Sequence, residues 1–284
     1  MSLSINDAIR TATAILKHTQ GDSARLDTEL LLASVLNQNR TWLRTWPDKI
    51  LSPAQRQAFE ILIRRRKQGE PIAYILGQRD FWSLTLRVTT DTLIPRPETE
   101  LLVEQALIRI PRQAHWTILD LGTGSGAIAL AIAKERPGCS LIATDHSLAA
   151  LQIARQNAQI NNVSNVHFLV SDWLTGFACD FQAHMILSNP PYIKVNDPHL
   201  SAGDLRFEPT GALAAGNEGL DDLQHILVTA KNHLQAGGWL LLEHGYEQQT
   251  ALTRLLVEYD YQAVQCHRDY ADQPRLSLGQ RKID

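Results

Sequence analysis

Apolar side chains in the first segment recur at helical spacing. Ile5, Ala8, Ile9, Ala12, Ile15 and Leu16 follow Ser4, a residue suited to capping a helix start. The same spacing predicts a second helix from near Asp22, carrying Leu26, Leu30 and Leu36, and a short helical piece over 41–46 that stops at Pro47. Ser52, Pro53 and Gln55 stand where N-cap, N1 and N3 of a further helix are expected. That helix closes on Arg64-Arg65-Arg66-Lys67 before Gly69. Such a basic run either complements the dipole at a helix C-terminus or forms a partner-binding surface. Residues 1–70 therefore read as a small all-helical domain.

From Pro71 the pattern changes. Residues 81–88, FWSLTLRV, alternate and are rich in aromatic and branched types. They predict one arm of a β-hairpin, so 71–92 reads as a hairpin connector between two domains. A helix is expected from Glu98 to Ile110, followed by regular alternation. Strands are predicted at 116–120, 140–144, 166–170, 183–188 and 238–243, and helices near 125–135, 147–160, 219–235 and 246–258. Two last strands, near 261–267 and 275–280, have no helix between them. Alternating β and α implies a parallel sheet covered by helices on both faces. A final strand reached without a crossover helix must enter antiparallel. Residues 93–284 are thus expected to form an α/β, Rossmann-like domain with a seven-stranded, mostly parallel sheet.

Composition narrows the options little. There are 27 basic and 30 acidic residues, a formal net charge of −3. No global positive field draws such a chain onto nucleic acid or an anionic membrane. Cys139, Cys179 and Cys266 are far apart and form no CxxC, and no HExxH occurs, so no metal is expected and the thiols read as buried and inert. The amino-terminal stretch MSLSINDAIRTATAI lacks a basic region followed by an apolar run, and no apolar run reaches transmembrane length. The expected location is the cytoplasm.

Candidate chemistry lies at the predicted strand ends. The first strand of the alternating region runs into Asp120-Leu121-Gly122-Thr123-Gly124-Ser125-Gly126, and a helix opens at once. Glycines here let the backbone turn sharply and approach a ligand. With Ala127 the loop also satisfies G-x-G-x-x-G/A, so a dinucleotide stays open at this point. Asp145 ends the second strand, placed to accept hydrogen bonds from both ribose hydroxyls of an adenine nucleoside, or else to cap the helix beginning near Ser147. That ribose is common to NAD and S-adenosylmethionine. After the third strand, Asp172 is placed to accept from an adenine amino group. Trp173 is placed to lie along the ring, or alternatively to serve as a core aromatic.

The fourth strand ends in Ser188-Asn189-Pro190-Pro191-Tyr192. A planar NH2 conjugated to a carbonyl or an aromatic ring is a poor nucleophile, because its lone pair is delocalised. The side-chain oxygen of Asn189 and the carbonyl of Pro190 are two acceptors able to hold its hydrogens and to stabilise the charge that builds during methyl transfer. Pro190 and Pro191 stiffen the backbone, and Tyr192 offers a flat face for stacking. No early general base is required, so catalysis is mostly positioning.

Taken together, the glycine loop, Asp145 and Asn189-Pro190-Pro191-Tyr192 resemble the class I amino-methyltransferases. Leu93-Ile94-Pro95-Arg96-Pro97-Glu98-Thr99-Glu100, Arg206-Phe207-Glu208-Pro209, Leu241-Leu242-Glu243-His244-Gly245 and the helical amino-terminal domain are similar to the release-factor glutamine methyltransferases, the PrmC or HemK family. The similarity spans nearly the whole chain. It implies methylation of the N5 side-chain nitrogen of the glutamine in the Gly-Gly-Gln loop of class 1 peptide-chain release factors, in support of translation termination. It also implies S-adenosylmethionine as methyl donor and S-adenosylhomocysteine as product. The amino-terminal helices hold no cofactor motif and are the surface available for recognising a protein substrate, whose small reacting group needs binding energy from elsewhere. It carries cofactor contacts onto Gly122, Thr123, Gly124, Ser125, Gly126, Asp145, Trp173 and Asn189, and acceptor contacts onto Asn189, Pro190, Pro191 and Tyr192. Arg96, Glu208 and Glu243 enter as ligand contacts or as structural ion pairs. The competing readings are a DNA or RNA adenine-N6 methyltransferase acting on a flipped base, an inactive scaffold, and an NAD oxidoreductase. The last leaves Asn189 to Tyr192 unexplained.

Overall fold

The computed structural model describes residues 3–283. Met1 and Ser2, where the amino-terminal stretch and its expected domain begin, and Asp284, where the last expected domain ends, lie outside the described residues. The chain divides into two compact units, Met1–Gly77 and Gln78–Asp284.

The first unit is helical throughout: α1 Ile5–Gln20, α2 Ala24–Leu36, α3 Arg40–Thr45, α4 Pro53–Lys67 and α5 Ile72–Leu76. Ser4 caps α1 by accepting from the amide of Asp7, and Ser52 and Gln55 form a reciprocal capping box on α4, as their sequence positions suggest. The apolar core gathers Ile5, Leu16, Leu31, Leu32, Leu43, Phe59 and Ile63.

Helix α2 departs from expectation. Leu26 is 42% exposed and Leu30 and Leu36 only half-buried, whereas Asp27, Thr28, Leu31 and Leu32 are buried. Charge pairing explains the rotated face. Asp27 accepts from Arg66 at 2.7 Å, and Glu29 collects Arg25, Arg40 and Arg44 within 3.2 Å. Burial alone would raise the Glu29 carboxyl, but hydrogen bonds from those three arginines bring it below its ordinary value. A buried carboxylate needs such partners, and α2 must turn its acids inward to reach them. The basic run ending α4 is correspondingly divided. Arg66 is held inside by Asp27, Arg65 is paired with Glu70 at 2.5 Å, and Arg64 and Lys67 remain exposed.

The second unit opens with an antiparallel hairpin, β1 Gln78–Phe81 and β2 Leu84–Arg87. The stretch 81–88 is therefore not one arm. It spans the end of one strand, a turn, and the other strand, with Trp82 in the left-handed region at φ 55°. Pro97–Thr99 forms a single 3-10 turn ahead of α6 Glu100–Arg109, so the expected helix starts late. The alternating region follows: β3 Thr117–Leu121, α7 Ala127–Glu135, β4 Ser140–Asp145, α8 Leu148–Ile160, β5 Val166–Val170, β6 Ala183–Ser188, α9 Asp221–His233, β7 Leu234–Glu243, α10 Gln249–Glu258, β8 Tyr261–Arg268 and β9 Pro274–Arg281. Strand β7 begins four residues before the expected start, directly after α9.

The seven-stranded sheet has the order β5-β4-β3-β6-β7-β9-β8. Strand β9 runs antiparallel to both β7 and β8, as a strand entered without a crossover helix must. Every residue of α7 from Ala127 to Ala133 is buried, and its alanines let it lie close against the sheet. The chain winds outward from β3 through β4 to β5, then returns to β6 on the other flank of β3. That reversal leaves a crevice at the carboxyl ends of the strands. Of the three cysteines expected to be buried, Cys139 is buried, Cys266 is half-buried, and Cys179 is exposed.

Candidate active site

Strand register assembles the site. Leu121 is paired with Thr144 and Ser188, and Asp145 with Val170. Gly122, Asp145, Ser171 and Asn189 therefore emerge side by side where the strands end. They line a cleft of about 430 Å³ together with Gly124, Asp172, Trp173, Pro191 and Asp222. Thr90 to Leu93 close one side, and Pro209, Gly211 and Ala212 another.

The glycine loop is held by short hydrogen bonds. Asp120 is fully buried and accepts from the Thr123 hydroxyl at 2.6 Å and from the Ala129 amide at 3.2 Å. Burial pushes its carboxyl up to about 6 against those two bonds. Gly124 adopts φ 56°, which a side chain would strain, and its amide donates to Asp145 at 2.9 Å. Asn157 on α8 donates to the Ser125 carbonyl at 2.8 Å and exchanges hydrogen bonds with the backbone of Arg87 on β2. The hairpin thereby braces the loop from behind.

Not all of the loop faces the cleft. Gly122 and Gly124 do, while the hydroxyl of Thr123 is turned to Asp120 and the side chain of Ser125 is buried. Gly126 is packed so tightly that a Cβ would stand 3.1 Å from Leu130 and 3.2 Å from Ala154. Asp145 receives Gly124 on one oxygen and the Ser147 amide on the other, both at 2.9 Å. Ser147, not Asp145, caps α8.

Trp173 lines the cleft and also packs against the apolar core. Its ring lies over Gly122, where a Cβ would meet Cζ3 at 3.3 Å, and its other side packs on the second apolar core. It also hydrogen-bonds Asp222, whose carboxyl burial raises. Asp172 is exposed at the cleft rim. With Asp91, Asp145 and Asp222 it makes the cleft wall acidic, a property that the near-neutral charge of the whole chain conceals.

A second, smaller hollow of about 70 Å³ adjoins this cleft. Leu93, Asn189, Pro191 and Ala212 line both, whereas Arg96, Pro190 and Tyr192 line only the smaller one. The Nδ2 of Asn189 donates to the hydroxyl of Thr99 at 3.2 Å, and no described residue donates to its Oδ1. Tyr192 is anchored through its carbonyl, which accepts from Gln248 Nε2 at 3.0 Å, and its phenol stands 3.5 Å from Glu243 Oε1. Burial, then the nearby Glu243, pushes the phenol well above its ordinary value, so it stays neutral. Gly219 fits under the Tyr192 carbonyl, where a Cβ would approach to 2.3 Å.

Buried Glu208 pairs with the half-buried Arg96, and the other oxygen of Glu208 accepts from the Ile94 amide at 3.0 Å. This fastens the loop carrying Pro209 to Ala212 onto the segment carrying Leu93. Thr99, Gln248 and Gly219 were not singled out individually from sequence. Thr99 lies in a quoted motif, but nothing local to it indicates Asn189 as its partner.

Residues 7–77 match the family described as the PrmC N-terminal domain, and residues 97–205 match the methyltransferase small domain. A release factor glutamine methyltransferase of Aliivibrio fischeri is 46% identical over 284 residues, covering all of both chains. One of Escherichia coli is 48% identical over 266 residues, 94% of this chain and 95% of that protein. Among solved structures, a methyltransferase from Pyrococcus furiosus superposes with a TM-score of 0.54 at 19% identity, covering 78% of this chain and 98% of its own. A T. thermophilus 16S rRNA methyltransferase in complex with AdoMet and guanosine gives 0.51 at 19% identity, over 72% of this chain and 50% of its own. Both share the fold.

Proposed function

This chain belongs to the release factor glutamine methyltransferases, and we propose that its two adjoining hollows hold the methyl donor and the acceptor amide on either side of Asn189. The enzyme methylates the side-chain N5 of the glutamine in the Gly-Gly-Gln loop of peptide-chain release factors, with S-adenosylmethionine as donor.

The residues present fit that donor. An acidic wall complements a sulfonium and an ammonium, and each oxygen of Asp145 accepts one backbone amide, keeping a lone pair for a ribose hydroxyl. Gly122 lets Trp173 and a ligand share one face of the loop. Bound there, S-adenosylmethionine supplies an electrophilic methyl. The side-chain oxygen of Asn189 and the carbonyl of Pro190 accept the two hydrogens of the glutamine amide and hold its nitrogen in line. The ring of Tyr192 backs the amide plane. With the donor bound, both acceptors would be placed to stabilise the positive charge that grows on the amide nitrogen as the methyl arrives. The surplus proton, made strongly acidic by methylation, then leaves to solvent.

One observation carries this assignment: Asn189 lines both hollows, with its nitrogen tied to Thr99 and its oxygen without an internal donor. Mass spectrometry of an intact release factor incubated with this protein and S-adenosylmethionine tests the reading. One added methyl on the loop glutamine is expected. An unmodified glutamine, or methyl label found in DNA or RNA instead, would overturn it.

A further inference from the structure

Behind the acceptor motif lies a carboxylate that the proposed methyl transfer does not use. Glu243, the last residue of β7, is 1% exposed, and its Oε2 has no hydrogen-bond partner among the described residues. It sits between two parts of the acceptor site. On one side is the hydroxyl of Thr99, which also receives the Asn189 amide at 3.2 Å; on the other is the phenol of Tyr192 at 3.5 Å. A hydroxyl has one hydrogen. Because Thr99 accepts from Asn189 Nδ2, that hydrogen is free to go to Glu243.

We propose that Glu243 is a positioning residue: as an acceptor-only carboxylate it orders the Thr99 hydroxyl, and through it turns the oxygen of Asn189 toward the incoming amide. This rests on the reading of Asn189 as an acceptor for the glutamine NH2. The polarity of the chain is what matters. Ionised Glu243 forces Thr99 to donate to it, Thr99 then accepts from Nδ2, and Oδ1 faces the substrate. Protonated Glu243 donates to Thr99 instead. The Thr99 hydrogen then seeks Oδ1, the amide rotates, and an NH2 confronts the NH2 of the substrate.

The surroundings put this exchange in the working range. Burial pushes Glu243 up to about 7, against the Thr99 hydroxyl, Arg275 on β9 and the Tyr192 phenol, while Glu98 in the turn before α6 pushes it further up. Arg96 lowers the neighbouring Tyr192 phenol against its burial. His244, the next residue, is turned away to Ser277 at 2.9 Å and is held below its ordinary value by burial, so it does not supply the titration. Turnover should therefore fall as pH drops through neutrality.

The test uses the full chain and an intact release factor. E243Q should keep its melting temperature and cofactor affinity but lose kcat by about 10–100-fold, the scale of one charge-assisted hydrogen bond, with KM little changed. Its acidic limb near pH 7 should disappear. T99V should show the same loss, and T99S, which keeps the hydroxyl, should exceed T99V by about tenfold. If E243Q does not fold, the ratio of T99S to T99V decides in its place. A substrate-free arm follows the side-chain amide nitrogen of Asn189 by 15N NMR, assigned by its loss in N189A. It should titrate with a midpoint near neutrality in the wild type and stay fixed in T99V. A fixed Asn189 resonance, an acidic limb retained in E243Q, or T99V equal to T99S would each overturn the inference. A titrating Asn189 in a wild type that adds no methyl to glutamine would instead overturn the substrate assignment and leave the coupling standing.

Discussion

At the donor end of the cleft, the holding bonds join residues that strand register has already made neighbours. Thr123 reaches Asp120 three positions away, and Gly124 reaches Asp145 twenty-one away across paired strands. At the acceptor end, Asn189 is held by Thr99 from ninety positions away, Tyr192 by Gln248 from fifty-six, and Ile94 by Glu208 from one hundred and fourteen. The donor end is thus built mainly from the strand ends of the sheet, with Asn157 on α8 and the hairpin bracing the glycine loop from behind. The acceptor end is a loop motif made rigid by side chains borrowed from three other segments. Substitutions in and behind the acceptor motif should therefore damage turnover while sparing cofactor binding, and substitutions at the donor end, such as Asp145, should do the reverse.

The sharpest break in this division comes from Asn189→Ala. Turnover should fall about 10²–10³-fold, the usual loss when one preorganised polar group is removed from an active site. Cofactor affinity by calorimetry should change far less; near-normal single-turnover rates would remove Asn189 from the acceptor role. Asp145→Ala is the mirror experiment. It should weaken S-adenosylmethionine binding by about 1.5–3 kcal/mol, the scale of a hydrogen bond to a charged group. An unchanged affinity in the folded variant would show that Asp145 serves only the loop backbone.

Gln248→Ala probes the borrowed supports directly. The carbonyls of Tyr192 and Gly219 and the amide of Gly245 would lose their shared partner. About 1–3 kcal/mol is at stake for groups left unpaired. The loss should be read as a lower kcat/KM for the release factor at constant cofactor affinity. Equal damage to cofactor affinity would mean that the two ends are mechanically one. The smallest effect belongs to Tyr192→Phe. A 3.5 Å contact to Glu243 is too long for a strong hydrogen bond. Phe keeps the flat face, so activity should be largely retained, and Tyr192→Ala should lose most of it. Equal losses in a steady-state assay would assign the role to the hydroxyl instead.

Local chemistry by itself determined much of this protein. The caps at Ser4 and Ser52, the order of strands and helices, the antiparallel last strand and the residues at strand ends were all legible, because periodicity and turn preference act over a few residues. Composition did not reveal the acidic cleft, since Asp91, Asp145, Asp172 and Asp222 are scattered along the chain and meet only across the crevice. The buried face of α2 differs from its apolar spacing because partners on α3 and α4 draw Asp27 and Glu29 inward, and no helical repeat on α2 alone carries that information. The run 81–88 was read as one strand because alternation continues through the turn at Trp82 and Ser83. Tertiary structure alone decided what stands behind the acceptor motif. Thr99, Gln248 and Gly219 carry no local mark of their task, and the motif that holds Glu243 does not show what it faces. Their pairing with Asn189 and Tyr192 exists only once the sheet has closed and left each buried polar group a few possible partners.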